Sequence, residues 1–150
     1  MDRASSDRLA VRELIELYSD AVTRRDWSTA GAAFAEGAVW TIGGPTNVAL
    51  RGRAAITKGI ADMVEAFEVF VQMTHSIVVE LDGDRATART IVNGFGRLRD
   101  RSAGTFTLGT YHDALIRSGK GWLFLSRRFE PIFIDTAAPP GTAFGPRSAV

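Results

Sequence analysis

Cysteine is missing from the chain, histidine occurs only twice, and neither sign of charge is in excess. Without cysteine there are no disulfides, thiolate metal sites or thiol nucleophiles. Two histidines, with no His-x-x-x-His pattern, predict no metal site, and no cofactor is expected. Lys and Arg number 18 against 17 Asp and Glu, a net charge of +1. That balance gives no electrostatic footprint for nucleic acid or an anionic membrane. No apolar run reaches membrane-spanning length and the first residues carry no apolar leader, so a cytoplasmic protein is expected.

What remains is the composition of an ordinary globular domain: 150 residues, 45% hydrophobic and 23% charged. We expect one domain over residues 1–134 and an irregular tail, 135–150, rich in Pro, Gly and Ala.

Met1–Asp7 is polar and expected to fray, with Ser5 or Ser6 placed to cap the first helix. Leu14, Leu17, Tyr18, Ala21 and Val22 recur at helical spacing and predict an amphipathic helix over Leu9–Arg25. Asp20 and Arg24 form an i,i+4 pair on its polar side. Ser28 is placed to cap a short second helix through Phe34. Ala38–Ile42 reads as a strand stopped by Gly43-Gly44-Pro45, a loop runs to Gly52, and Arg53–Phe67 returns to helical spacing. The period then changes to two. Asp82-Gly83 joins the strands Met73–Leu81 and Ala86–Leu98 as a hairpin, with two further strands at Thr105–Arg117 and Trp122–Ile134. Three helices and then a four-stranded antiparallel meander predict an α+β fold. Its form is a cone-shaped α+β barrel, three N-terminal helices packed on a strongly bent, mainly antiparallel sheet. Asn93-Gly94-Phe95-Gly96 lies inside a strand and is read as a bend or bulge, not a nucleotide-binding turn.

Such a sheet encloses a cavity, and alternation says which side chains enter it. His75, Ile77, Val79 and Leu81 share one face, apolar except for a single imidazole. The next strand contributes Ala88, Thr90, Val92 and Gly94, and the third Thr107, Gly109, Tyr111 and Asp113. The last contributes Leu123, Leu125, Arg127 and Phe129, which leaves Trp122 and Phe124 outside. Arg127 and Arg128 are adjacent, so one of them faces inward in either register. His75, Tyr111, Asp113 and Arg127 are therefore the candidate polar groups of a pocket walled by Tyr18 and Trp40. Plainer readings stand beside these. His75 as a core histidine bonded to a backbone carbonyl is one. Arg127 as an ion pair tying strands through Asp113 or Glu130 is another. Tyr18 and Trp40 as ordinary core aromatics complete the set. His112, out of step with Tyr111, belongs on the outer face or at a subunit contact.

Several short segments carry a resemblance: Leu17-Tyr18-Ser19-Asp20, Asp26-Trp27, Ala38-Val39-Trp40, Thr74-His75, Gly109-Thr110-Tyr111 and Gly121-Trp122. In order and spacing, over about Leu9 to Pro131, they resemble the SnoaL-like branch of the nuclear-transport-factor-2-like superfamily. That superfamily includes scytalone dehydratase, hexachlorocyclohexane dehydrochlorinase, isomerases and polyketide cyclases, and also proteins that only bind or assemble, so fold alone does not choose the activity. The resemblance implies that His75 is a proton-abstracting histidine oriented by an aspartate near the end of the first helix. It also implies that Arg127 and Tyr111 are pocket residues. Counted five on from Tyr18, the aspartate position holds Thr23; aligned without a gap to the dehydrochlorinase, it holds Asp26, which sits in the Asp-Trp turn and has the plainer reading of a turn or cap residue.

The expected function is cofactor-independent lyase chemistry, dehydration or dehydrohalogenation, on a small hydrophobic or polycyclic molecule. His75 takes the proton, Asp26 holds the imidazole, and Arg127 and Tyr111 stabilise the leaving group or an oxyanion. Tyr18, Thr23, Trp40, Val92 and Asp113 complete the pocket. An isomerase or cyclase-like enolisation comes next. A binding or assembly module is the alternative, favoured by the uncharged residue at position 23. The outer sheet face, with Ile91, Phe95, Phe106 and Phe124, predicts a homodimer or homotrimer.

Overall fold

Helix α1 begins earlier than the polarity of its first residues suggests. In the computed structural model, which describes residues 1–145, it spans Arg3–Arg24. Its cap is Asp2, whose carboxylate accepts from the Ser5 backbone N–H at 2.7 Å. Met1–Asp7 is therefore not a frayed lead-in. Asp7 is buried, accepts from Trp122 Nε1 at 3.3 Å and pairs with Arg117. Val11, Ile15, Tyr18 and Val22 form the buried stripe of α1, while Asp20 and Arg24 pair on its outer side at 2.8 Å. Helix α2 (Trp27–Ala32) is short, and α3 (Arg53–Glu65) buries Ile56, Ile60 and Val64.

Among the described residues, six strands make one curved sheet: β1 Phe34–Ile42, β2 Val48–Arg51, β3 Phe67–Asp82, β4 Arg85–Leu98, β5 Gly104–Ser118 and β6 Gly121–Asp135. Their order is β2-β1-β6-β5-β4-β3. Every neighbouring pair is antiparallel except β1–β6, which is parallel. The expected meander is β3–β6. Strand β2 falls within the stretch read as a loop. It is only four residues long, and its Leu50 packs against α3 at Gly59. The three helices and the curved sheet are the α+β architecture expected.

Of the register shifts in β3 and β6, two reverse the expected facing of candidate site residues. In β3, Thr74 pairs with Val92 and Ile77 with Thr90, so His75 and Ser76 together face the single residue Ile91. The inward series therefore changes from Phe70 and Gln72 before the bulge to Ile77 after it. In β6, Phe124 pairs with Leu115 and Ser126 with Ala114, leaving Leu125 as the extra residue. That bulge lets Trp122, Phe124 and Arg127 all point inward. The expectation that Trp122 and Phe124 lie outside is corrected: both are buried, and Phe124 is at the centre of the core with its ring 5.3 Å from Phe34. The glycines of Asn93–Gly96 mark no bulge, since β4 and β5 pair without interruption from Arg85 to Arg97. At Gly96 the backbone of Val69 and the ring of Phe67 leave no room for a side chain.

On the outer face Met73, Phe106, Ile132 and Phe133 are exposed, and the Phe106 and Phe133 rings meet edge to face at 6.3 Å. Phe124 is not among them. Beyond β6, residues 136–145 form no helix or strand. Arg97 holds this segment by donating to Pro139 O and Gly141 O, both at 2.9 Å. Residues 146–150 of the expected tail lie outside the described residues. No helix among the described residues is long and apolar enough to cross a membrane.

Candidate functional site

Between the sheet and helices α1 and α3 lies a cavity of about 210 Å³. Strand β3 gives it Phe67, Phe70 and Gln72; β4 gives Val92 and Gly94; β5 gives Thr105, Thr107 and Tyr111. Trp40 and Ile42 of β1, Phe129 of β6, Tyr18 and Val22 of α1, and Ile60, Met63 and Val64 of α3 close it. Gly109 has a direct part in this shape, because the Phe129 ring lies where its Cβ would be. Phe129 thereby reaches Tyr111, with ring centroids 5.3 Å apart. The walls are mostly apolar, with a few polar tips, as in a small-molecule site.

Four of the predicted site residues line this cavity: Tyr18, Trp40, Val92 and Tyr111. Tyr18 and Tyr111 stand edge to face, centroids 6.4 Å apart. Burial pushes both phenols above their ordinary value; for Tyr18 its phenolic neighbour adds to the rise and Arg127 opposes it. For Tyr111, Arg127 and the nearby indole of Trp40 pull back against burial without cancelling it. Both phenols are therefore protonated at neutral pH, and each hydroxyl can donate or accept. The Trp40 indole Nε1 is buried beside the Tyr111 phenol, near enough to act on its pKa, but makes no well-formed hydrogen bond among the described residues.

Arg127 and Asp113 lie beneath the phenols, not in the cavity wall. Arg127 donates from Nε and Nη2 to the two Asp113 oxygens at 2.9 and 3.1 Å, and both side chains are completely buried. The guanidinium stacks 3.8 Å over the Tyr111 ring and 4.3 Å over Phe124. Burial opposes its charge, but Asp113 and the phenols outweigh that and raise its pKa, so it stays a cation. Of the alternatives for Arg127, the strand-tying ion pair with Asp113 is the geometry found.

His75 and Asp26 do not meet, and neither enters the cavity. His75 sits in the β3 bulge and is exposed, which corrects its expected inward orientation. Asp26 is the N-cap of α2. Its carboxylate accepts from Thr29 N at 3.1 Å and Thr29 Oγ1 at 2.6 Å, and these bonds, the hydroxyl first, hold its pKa below the usual carboxylate range. An Asp with Thr three residues on is a capping signal legible in the sequence.

The residue that sequence reasoning missed is Gln72. Thr23, on the last turn of α1, accepts from the Gln72 backbone N–H at 3.0 Å and donates to its carbonyl at 3.4 Å. The Gln72 side chain enters the cavity, where its Oε1 accepts from the Ser19 hydroxyl at 3.1 Å. The position facing Thr23 thus holds a carboxamide, and among the described residues no carboxylate or imidazole lines the cavity.

Comparison with known proteins agrees with this architecture. A scytalone dehydratase candidate from Novosphingobium aromaticivorans superposes with a TM-score of 0.80 at 16% identity, covering 98% of this chain and 97% of that one. A type 2 hexachlorocyclohexane dehydrochlorinase gives a TM-score of 0.75 at 21% identity over 95% of this chain and 97% of its own. An NTF2-like protein with a cystatin-like fold, also from N. aromaticivorans, gives 0.76 at 23% over 87% and 84%. No curated protein sequence matches the chain. At these identities the likeness is one of fold. The SnoaL-like domain family, however, matches by sequence over residues 3–128, the span from the first turn of α1 to Arg128 of β6, and the chain belongs to that family.

Proposed function

We propose that the cavity binds one small, largely apolar molecule carrying an oxygen acceptor, and that it polarises this oxygen without taking a proton from carbon. The observation that carries the reading is Trp40 Nε1, a buried donor in a mostly apolar cavity that makes no well-formed hydrogen bond among the described residues, the Tyr111 phenol beside it included. A buried N–H left unpaired costs about 1–3 kcal/mol, so an acceptor supplied by a ligand is favoured there. The two protonated phenols, with the Arg127 cation behind them, are the natural further donors to the same oxygen.

A second reading, lyase-type turnover, is supported by the family and by the dehydratase and dehydrochlorinase names among its structural neighbours. On that reading Tyr18 and Tyr111 assist departure of a leaving group or stabilise an enol oxygen. The proton leaves without His75 and Asp26, which lie elsewhere. Isomerase-type enolisation would use the same phenols.

Tetralone, a small ketone on an apolar bicycle, is a suitable probe. Calorimetry is expected to show saturable one-to-one binding to the wild type and at least a tenfold loss in Gly94→Leu. A Cβ at Gly94 makes only ordinary contact, 3.6 Å from the Phe70 ring, so this variant fills the cavity without straining the strand. Equal binding by the two proteins, or none by either, would overturn the proposal.

A further inference from the structure

We propose that, of the two phenols, Tyr111 is the one whose O–H meets the ligand's oxygen, and that Arg127 is a positioning residue acting on the ligand through the Tyr111 ring. The inference rests on the reading of the cavity as a ligand site and assigns the parts within it.

The two phenols differ in their surroundings. Trp40 on β1 pairs with Arg127 on β6, and Arg127 with Asp113 on β5. Tyr111 stands two residues before Asp113 on the same face of that strand, so the indole and the Tyr111 phenol come side by side, as their effect on one another shows. An oxygen that accepts from Trp40 Nε1 is thereby placed beside the Tyr111 hydroxyl. Tyr18 enters from α1 and is wedged in the aromatic core, edge-on to Phe34 and Phe124 at 5.7 and 6.1 Å. The guanidinium is shared unequally as well: it lies 3.8 Å from the Tyr111 centroid and 4.7 Å from that of Tyr18. Arg127 is fully buried and does not line the cavity, so it reaches a ligand only through the ring on which it stacks. A cation on the face of a phenol favours its ionised form and makes its O–H a stronger donor. Burial raises both phenols, but it is Tyr18 that stands well above its ordinary value. At Tyr111 the pull of Arg127 exceeds the opposing push of Asp113. From α3, β3 and β4 no charged side chain enters the cavity among the described residues.

The chain has only two tyrosines, which makes the assignment measurable. Both are replaced together by difluorotyrosine, whose phenol ionises nearer neutrality, and fluorine NMR then gives two signals, told apart by Tyr18→Phe. Tyr111 is expected to ionise about one pH unit or more below Tyr18. By calorimetry, Tyr111→Phe should weaken tetralone binding about tenfold and Tyr18→Phe no more than about threefold. Asp113→Leu with Arg127→Met removes the cation together with its partner. It should raise the Tyr111 midpoint and weaken tetralone several-fold with Tyr111 still in place; a pair that only ties the strands would leave that midpoint where it was. Tyr18 ionising first, or Tyr18→Phe losing as much affinity as Tyr111→Phe, would overturn the assignment and leave the cavity as a ligand site. An unmoved midpoint in the double variant would overturn the role of Arg127. Failure of the wild type to bind tetralone would overturn the reading of the cavity itself, and this inference with it.

Discussion

The double variant Thr23→Asp with Gln72→His is expected to catalyse exchange of the α-protons of tetralone in heavy water, at least about a hundredfold above wild type. A positioned general base contributes about 10²–10⁴-fold, and the wild-type cavity offers none among its lining residues. The geometry for one already exists. Thr23 Oγ1 lies 3.0 Å from the backbone nitrogen of Gln72, whose side chain points into the cavity. An aspartate at position 23 keeps an acceptor for that N–H and has a second oxygen to fix the imidazole and stabilise its protonated form. Gln72→His alone, without the carboxylate, should gain less. His75→Ala should leave both the wild type and the double variant unchanged, because its imidazole is outside. Proton NMR of the exchanging position reads each of these proteins. No gain in the double variant would contradict the placement of residues 23 and 72.

The second large effect concerns stability. Asp113→Ala leaves the Arg127 cation fully buried and unpaired, and removing one partner of such a pair costs about 3–5 kcal/mol. For a chain of this length that is a fall in Tm on the order of 10 °C, and a large part of a typical folding free energy of about 5–15 kcal/mol. Replacing both partners, Asp113→Leu with Arg127→Met, removes the two desolvation penalties together and keeps an apolar chain stacked on Tyr111 and Phe124. Its stability should return to near that of the wild type. Urea unfolding distinguishes the two cases. A mild single variant would mean that the guanidinium gains another partner, and a severe double variant would mean that the pair does more than neutralise itself.

The parts of this fold that are legible in the sequence are those governed by uninterrupted periodicity. The stripe of α1, the β3–β4 hairpin at Asp82-Gly83, and the inward series Thr107, Gly109, Tyr111 and Asp113 all come from a constant repeat. Both errors of orientation have one cause. A β-bulge inserts a residue without a compositional mark, and strict alternation carried across it reverses every side chain beyond. Counting back from Ile77 puts His75 inside; counting forward from Phe70 puts Gln72 inside. Only the second count stays on its own side of the bulge. In β6 the same arithmetic forces a choice between burying Arg127 and burying Trp122 and Phe124, and the bulge at Leu125 permits all three. The size of those two aromatic rings is a signal that strict alternation overrides. Asp26 carries two readings in the sequence, a turn or cap residue and the alignment to a catalytic aspartate, and the bonds to Thr29 are those of the first.

The central claim is that the chemistry of this chain meets its ligand at Trp40 and Gln72 and not at His75. The most direct measurement is a ¹⁵N–¹H NMR titration with tetralone, following the indole N–H signals of the three tryptophans and the imidazole signals of His75. Trp40→Phe assigns the indole signal that matters. We expect the Trp40 N–H to move downfield and saturate as its proton finds an acceptor, with the Gln72 carboxamide signals shifting alongside and those of His75 fixed. A moving His75 imidazole beside an unmoved Trp40 N–H would contradict the account and return the site to the histidine.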